Sequence, residues 1–385
     1  DASGGAESIN DLTDAKTFGT SSIMLGDATT GTISAANYNT GVGVDVFEDL
    51  TSGDNNSAFG FFALGNNTSG GNNTMVGAYA GALNIDDADN TAVGYAANYP
   101  DGGSNVTAVG SVALNANTAS DNTAVGKGAL TATVGGANNT AVGSLAGVAN
   151  TSGSENIFVG YRAGMTTTTA TTNTVIGSFA LDNGAANTGG LNTIMGHASG
   201  RVITSGTRNT ILGYDSGTAV TTGSNNVLIG GNGTGNNITT GSANIAIGEA
   251  ALTTLTASTY PNIAIGVNAL YSMATGYQNI AIGYTSGQSA TGVGVTLVGD
   301  SAGFSVTSGN SNTCFGVGAG YNITTGANNL CLGPSSGQAN QPTTVITTQS
   351  NQIVVGNADH SVSHIQTDWT VASDKRDKTD VTPLD

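Results

Sequence analysis

The chain has 385 residues, of which 59 are glycine and only 9% are charged, and its formal net charge is −17. Eight basic residues cannot neutralise a phosphate backbone, so we expect neither nucleic-acid binding nor adhesion by charge to an anionic membrane. No run of about 18 apolar residues occurs, so we expect no membrane insertion.

The first element, residues 1–20, is predicted to be an N-terminal connector. It opens with Asp1 rather than methionine and carries no signal-peptide pattern. We therefore expect that a further N-terminal part precedes it.

From residue 21 onwards a short block repeatedly ends in a large apolar residue followed by glycine. Neighbouring glycines are 16 to 18 residues apart, with one gap of 19 and one of 23. Such a period is typical of a solenoid, in which each coil packs on the one before. The repeat glycines are Gly26, Gly43, Gly60, Gly77, Gly94, Gly110, Gly126, Gly143, Gly160, Gly177, Gly196, Gly213, Gly230, Gly248, Gly266, Gly283, Gly299, Gly316, Gly333 and Gly356.

Places within a coil are numbered from this glycine, so that −1 is the residue before it and +3 the third residue after it. Place −1 is large and apolar in all 20 copies, place −4 is Asn in 16, and place +3 is Ala or Ser in 16. Triplets such as Thr91-Ala92-Val93 before the glycine are typical of short strands. The sequence therefore predicts an all-β, parallel β-roll or β-helix of about twenty coils of ~17 residues, roughly 95 Å long at the spacing of paired strands.

The asparagine at place −4 suggests a ladder of side-chain amides, each bonded to the next coil. The simpler alternative is that each asparagine occupies a turn, for which it is well suited. The ladder is predicted to contain Asn56, Asn73, Asn90, Asn139, Asn156, Asn209, Asn262 and Asn279.

Both faces of the predicted strands are apolar. In residues 263–265, for example, Ile263 and Ile265 point to one side and Ala264 to the other. A strand with one solvated face would alternate polar and apolar residues. We therefore expect one face inside the coil and the other against a further copy of the chain, in a homotrimer.

The solenoid shaft is predicted to span residues 21–338, with a strand-rich C-terminal cap over 339–372. The blocks Asn-Thr-Ala-Val-Gly and Asn-Ile-Ala-Ile-Gly, followed by Ala-Leu or Ala-Gly, resemble the head repeats of trimeric autotransporter adhesins and similar repeats of bacteriophage tail fibres. The resemblance covers roughly residues 20–356. It implies a left-handed parallel β-roll with three chains packed about one axis.

The segment Asp368–Lys378 is similar to the junction before the intramolecular chaperone of endosialidase-type phage fibres. That resemblance implies that residues 373–385 are the start of a chaperone, incomplete here, and that Ser373 and Lys378 serve a single self-cleavage at the Ser373–Asp374 bond. A serine and a lysine can cooperate in this way when the lysine is desolvated and neutral.

Together these features predict a structural fibre protein of a phage virion, a tail-fibre or spike shaft that mediates attachment to the host surface. Its expected partners are itself, tail or baseplate proteins and a host receptor, with glycan as a candidate class, and its expected location is extracellular, on the virion. We expect no cofactor and no catalytic turnover. The alternatives are a bacterial trimeric surface adhesin and, more weakly, an ice-binding solenoid or a polysaccharide-degrading spike.

Few other residues suggest a site. Tyrosines in or near loops are candidate receptor contacts, Tyr99, Tyr260, Tyr271 and Tyr277 among them, although a tyrosine beside the repeat glycine is equally suited to packing. The acidic loop with Asp86, Asp87 and Asp89 suits either a calcium ion or, as we expect, a solvated turn.

The cysteines and histidines suggest no metal site. Cys314 and Cys331 occupy the same place in successive repeats and are expected to be buried thiols, with a disulfide only if the geometry allows one. His360 and His364 lie in a predicted strand and loop, where a spacing of four does not bring two ligands together, and His197 lies far from both. We therefore expect no metal.

Overall fold

A computed structural model describes residues 15–26, 35–100, 103–182, 185–257, 260–338 and 345–359. These residues form an all-β solenoid of stacked coils and contain no helix. None of them forms a helical segment long and apolar enough to cross a membrane. The predicted fold class is confirmed, while the packing of three chains remains a prediction.

The described residues contain 21 strands, nearly all of three residues, and each strand from β2 to β21 ends at place −1. They are β1 Ala15–Phe18, β2 Ser22–Leu25, β3 Thr40–Val42, β4 Ser57–Phe59, β5 Thr74–Val76, β6 Thr91–Val93, β7 Thr107–Val109, β8 Thr123–Val125, β9 Thr140–Val142, β10 Ile157–Val159, β11 Thr174–Ile176, β12 Thr193–Met195, β13 Thr210–Leu212, β14 Val227–Ile229, β15 Ile245–Ile247, β16 Ile263–Ile265, β17 Ile280–Ile282, β18 Thr296–Val298, β19 Thr313–Phe315, β20 Leu330–Leu332 and β21 Ile353–Val355.

From β2 to β21 each strand pairs in parallel with the next, and the residues at equal places face each other. Ala92 of β6, for example, is paired with Ala108 of β7. β21 lies within the predicted C-terminal cap but pairs with β20 in the same parallel manner. The exception is β1, in the predicted connector, which pairs with β2 in antiparallel orientation.

The core lies inside the coils. Side chains at the same inward-facing place of successive coils stack on one another and form continuous columns. Place −2 is buried along the shaft, with residues as different in size as Ala92 and Phe158. The small residue at place +3 is also buried, as Ala97 and Ser286 show. The interior is thus packed by side chains and does not form a channel.

The repeat glycine allows two coils to approach closely. Gly94 has a φ of 137°, which residues with a side chain rarely adopt. A Cβ atom on this residue would lie 2.7 Å from the carbonyl carbon of Gly110 in the next coil. Only glycine fits both the conformation and the space.

The chain after the glycine turns by alternating left- and right-handed residues. Val112 and Leu114, at places +2 and +4, have φ values of 54° and 51°. The backbone N–H of Val112 donates to Tyr95 in the preceding coil, and that of Leu114 donates to Ala129 in the following coil. The alternation therefore directs successive N–H groups towards opposite neighbours.

Candidate functional site

Asparagine side chains at place −4 connect successive coils through hydrogen bonds. Asn139 Oδ1 accepts from the backbone N–H of Asn156 at 3.0 Å and from its Nδ2 at 3.1 Å. Asn139 Nδ2 donates to the carbonyl oxygen of Gly153 at 2.9 Å. Each amide thus acts as both donor and acceptor between coils, in a buried position where an unpaired group would be costly.

This pattern continues over two long stretches of the shaft. The shorter run is Asn39, Asn56, Asn73 and Asn90. The longer run is Asn122, Asn139, Asn156, Asn173, Asn192, Asn209, Asn226, Asn244, Asn262 and Asn279. All eight asparagines predicted from the sequence to form a ladder belong to one of these two runs.

The first run ends where a valine replaces asparagine. Val106 donates its backbone N–H to Asn90 Oδ1 at 2.8 Å but has no amide with which to continue the ladder. Asn90 Nδ2 is buried and has no partner among the described residues. A second buried amide lies nearby, because Asn98 at place +4 of the coil of Gly94 has two polar side-chain atoms that are unpaired among the described residues.

The outer face of the sheet carries a continuous apolar column at place −1. None of its twenty residues, from Leu25 to Val355, is buried. Twelve are clearly exposed, with exposed fractions between 36% and 62%. These twelve are Leu25, Val42, Phe59, Val76, Val93, Val125, Val142, Met195, Ile282, Phe315, Leu332 and Val355.

The neighbouring column at place −3 also faces outward, but its character changes along the shaft. Threonine occupies this place in every strand from β5 to β9, whereas isoleucine occupies it in β15, β16 and β17. The outer face therefore combines hydroxyl and apolar columns over much of the shaft, is apolar at both places from β14 to β17, and carries threonine at place −3 again in β18 and β19.

Five aromatic side chains gather on three successive coils near the predicted contact Tyr99. Phe61 and Phe62 pack against Tyr79, with ring centroids 5.2 Å and 6.0 Å away. Tyr79 also contacts Tyr95 at 6.1 Å and Tyr99 at 6.3 Å. Tyr79, Tyr95 and Tyr99 line a surface cavity of about 410 Å³ together with Ala96, Val112 and Asn115.

The other three predicted receptor contacts lie about ten coils away from Tyr99. Tyr260 and Tyr277 are brought together, with ring centroids 5.4 Å apart. Tyr271 is 37% exposed and has no ring contact among the described residues. The structure therefore groups two of the four tyrosines and separates the others.

A second aromatic column was not predicted from the sequence. Tyr161, Phe179, His197 and Tyr214 follow one another on successive coils, with centroid distances of 5.3, 5.7 and 5.4 Å. Alignment of the repeats gives the signal, because all four residues occupy place +1 or +2. His197 is a member of this column and therefore has a packing role.

An ion pair lies beside this second column. The buried carboxylate of Asp182 is 3.3 Å from Arg162 Nε and 3.5 Å from Arg201 Nε. The guanidinium of Arg162 also lies 5.6 Å from the centroid of Phe179. Two of the few cations of the shaft thus compensate one buried acid, which gives this cluster a structural role.

The two cysteines are buried, unpaired by disulfide and in register on β19 and β20. The hydrogen bond with Cys331, followed by burial, raises the pKa of Cys314 well above its ordinary value of 9.0. Two neighbouring thiolates in the core would repel each other, so the pair retains a proton.

Two carboxylates of the acidic loop accept hydrogen bonds from other groups of the protein. Asp87 accepts from the backbone N–H of Gly103 at 2.8 Å, and Asp89 accepts from Asn72 Nδ2 at 3.0 Å. Within the described ranges, no three side chains of His, Cys, Asp and Glu are grouped so as to bind a metal ion. Ser373, Lys378, His360 and His364 lie outside the described residues.

Comparison with known proteins leaves the family open. No protein-family model matches the chain, and no curated protein is significantly similar to it.

Proposed function

We propose that this chain forms the shaft of a homotrimeric tail fibre or spike of a phage virion, and that the fibre mediates attachment to the host surface. The observation that carries the proposal is the outward column at place −1. A soluble protein that exists as a single chain rarely exposes a large continuous apolar surface. Here such a surface extends along the whole shaft, which supports a partner of equal length that covers it.

A further copy of the same chain meets this requirement best. Its own column has the same length and the same spacing between coils, so that residues of the two chains interdigitate at every level. No residue at place −1 or place −3 of β2 to β21 is charged, so this face brings no like charges together between the copies. Three copies follow from the resemblance of the repeats to trimeric adhesin heads and tail fibres.

The assignment to a virion rests on the sequence between Asp368 and Lys378. Its similarity to the junction before a phage-fibre chaperone motivates a role for Ser373 and Lys378 in one self-cleavage, and we propose no turnover enzyme activity. The acidic charge of the chain keeps neighbouring fibres apart and in solution.

Immunogold electron microscopy of an infected culture, with an antibody against this chain, tests the proposal. Gold on fibres that project from phage tails is the expected result. Gold spread over uninfected cells would instead assign the protein to the bacterial surface adhesins. Purified phage particles that lack the protein would exclude the virion role.

The threonine column at place −3 favours a second candidate function, which is ice binding. Threonine hydroxyls recur on successive strands from β5 to β9, beside the apolar column at place −1. The change from threonine to isoleucine in β15 to β17 interrupts this surface, and for that reason we rank ice binding second. Thermal hysteresis above that of the buffer would favour it over the fibre role.

A further inference from the structure

The aromatic cavity arises from one small residue in a column of larger ones. Place +2 is Phe62, Tyr79, Ala96 and Val112 in four successive coils. Because Ala96 has only a methyl group, the outer surface is recessed at its coil between Tyr79 on one side and Val112 on the other. The recess of about 410 Å³ is within the range of small-molecule sites.

Two further tyrosines from the coil of Ala96 complete the walls. The planes of Tyr95 and Tyr99 make angles of 84° and 62° with the ring of Tyr79. Neither ring is stacked face to face on Tyr79, and the edge contacts hold both in place. Tyr95 remains 57% exposed, so a large part of it is accessible to a ligand.

The polar groups of the cavity are uncharged. Asn115 Nδ2 donates to the carbonyl oxygen of Ala96 at 3.0 Å, which fixes the amide at the edge of the recess. Its carbonyl oxygen and the tyrosine hydroxyls are groups that exchange hydrogen bonds with ligand hydroxyls. No lining residue carries a charge, so a carboxylate, a phosphate or an ammonium group would find no partner there.

We propose that this cavity is a subsite for a neutral sugar of a surface glycan. A neutral saccharide requires aromatic rings that pack against the apolar face of its pyranose. It also requires uncharged hydrogen-bond donors and acceptors for its hydroxyls. The inference deepens the proposed attachment function and rests on it, and it assigns one point of host contact to the side of the shaft at residues 79–115.

Saturation-transfer difference NMR on the purified full chain tests the inference. The probes are the methyl glycosides of glucose, galactose and N-acetylglucosamine, with glucuronic acid and N-acetylneuraminic acid as anionic counterparts. The variants are Tyr95→Ala, which removes an exposed wall, and Ala96→Leu, which fills the recess with a residue that place +2 accepts at Leu145. Tyr284→Ala is the matched control, because Tyr284 is also at place +1 and is also 57% exposed.

We expect saturation transfer to at least one neutral glycoside. Its Kd should rise about tenfold in Tyr95→Ala and in Ala96→Leu and stay unchanged in Tyr284→Ala. No transfer to any neutral glycoside, a preference for the anionic sugars, or unchanged binding in either cavity variant would overturn the inference. Since binding in solution does not depend on virion assembly, a negative result together with gold-labelled tail fibres would leave the proposed function intact.

Discussion

At the scale of the residue, the repeat glycine sets the distance between coils. Replacing Gly94 with alanine places a Cβ atom against the Gly110 carbonyl and keeps a φ of 137° that alanine does not favour. We expect Gly94→Ala to lower the free energy of unfolding by about 3 kcal/mol. The free energy of unfolding is measured by urea denaturation followed by circular dichroism. Gly135→Ala is the control, because no atom lies within 4 Å of its added Cβ, and equal losses in both variants would contradict this role.

The buried asparagine at place −4 links three backbone segments. Asn139→Ala would leave the buried Asn156 N–H without its acceptor and remove one of two amide donors to the Gly153 carbonyl, which keeps its hydrogen bond from Asn150 Nδ2. We expect a loss of about 2 to 4 kcal/mol, since an unpaired buried group costs about 1 to 3 kcal/mol and a lost hydrogen bond about 0.5 to 1.5 kcal/mol. The control is Asn66→Ala, because the half-buried Asn66 side chain forms no hydrogen bond among the described residues. If the asparagines only occupied turns, both substitutions would cost equally little in the same denaturation assay.

The cysteine pair makes stability depend on pH in the alkaline range. The folded chain keeps the Cys314 proton above the pH at which the unfolded chain releases it, because the pKa of Cys314 is raised. Its contribution to stability is therefore complete below about pH 9 and falls progressively as the pH rises above that value. The free energy of unfolding should differ less between pH 8 and pH 10 in the double variant Cys314→Ala/Cys331→Ala than in the parent chain. An identical difference in the two proteins would exclude the cysteine pair as its cause.

At the scale of the element, each coil contacts only the coils on either side of it. Removing residues 127–143 joins Gly126 to Ser144, so every later residue keeps its place relative to the repeat glycine. We expect the shortened chain to fold with a melting temperature within a few degrees of the parent, because solenoid stability is a sum over neighbouring coils. Thermal melting by circular dichroism measures this.

Removal of residues 127–134 alone is the control for the coil deletion. It shifts the later part of that coil out of register and should prevent packing. Equal melting temperatures for both deletions would mean that the period does not determine the stacking.

The sequence predicts the strands well because their signal is local and repeated. An apolar residue before glycine marks the end of each strand from β2 to β21, and an asparagine at place −4 precedes 16 of these twenty strands. The left-handed residues Val112 and Leu114 could not be predicted, because neither type favours this conformation alone. Hydrogen bonds to Tyr95 and Ala129 in the neighbouring coils offset the cost, and a single repeat does not reveal them.

The candidate site was partly visible in the sequence. Tyr99 stands out as an aromatic residue in a loop, but the roles of Ala96 and Asn115 depend on residues 16 or more positions away. Ala96 is notable only after the repeats are aligned and its larger neighbours at place +2 are seen.

The pairing of β1 with β2 could not be predicted from the repeat pattern, because β1 lies outside the repeat and pairs in the opposite direction.

At the scale of the whole molecule, the solenoid fills its own interior but leaves its outer apolar column uncovered. The coils repeat at the spacing of paired strands, so twenty of them present this column over roughly 95 Å. Under the proposed function, another chain of the same repeat covers a surface of this length, and association along the side would produce a fibre shaft. The proposed function therefore depends most on whether copies of this chain cover the outer apolar columns of one another.

The most direct test is the molar mass of the purified full chain in solution, measured by light scattering after size-exclusion chromatography. The account predicts a single species of three times the chain mass of 37.7 kDa, unchanged on dilution. A species of 37.7 kDa that stays in solution would show that the outer column needs no second copy, and it would contradict the proposed fibre shaft.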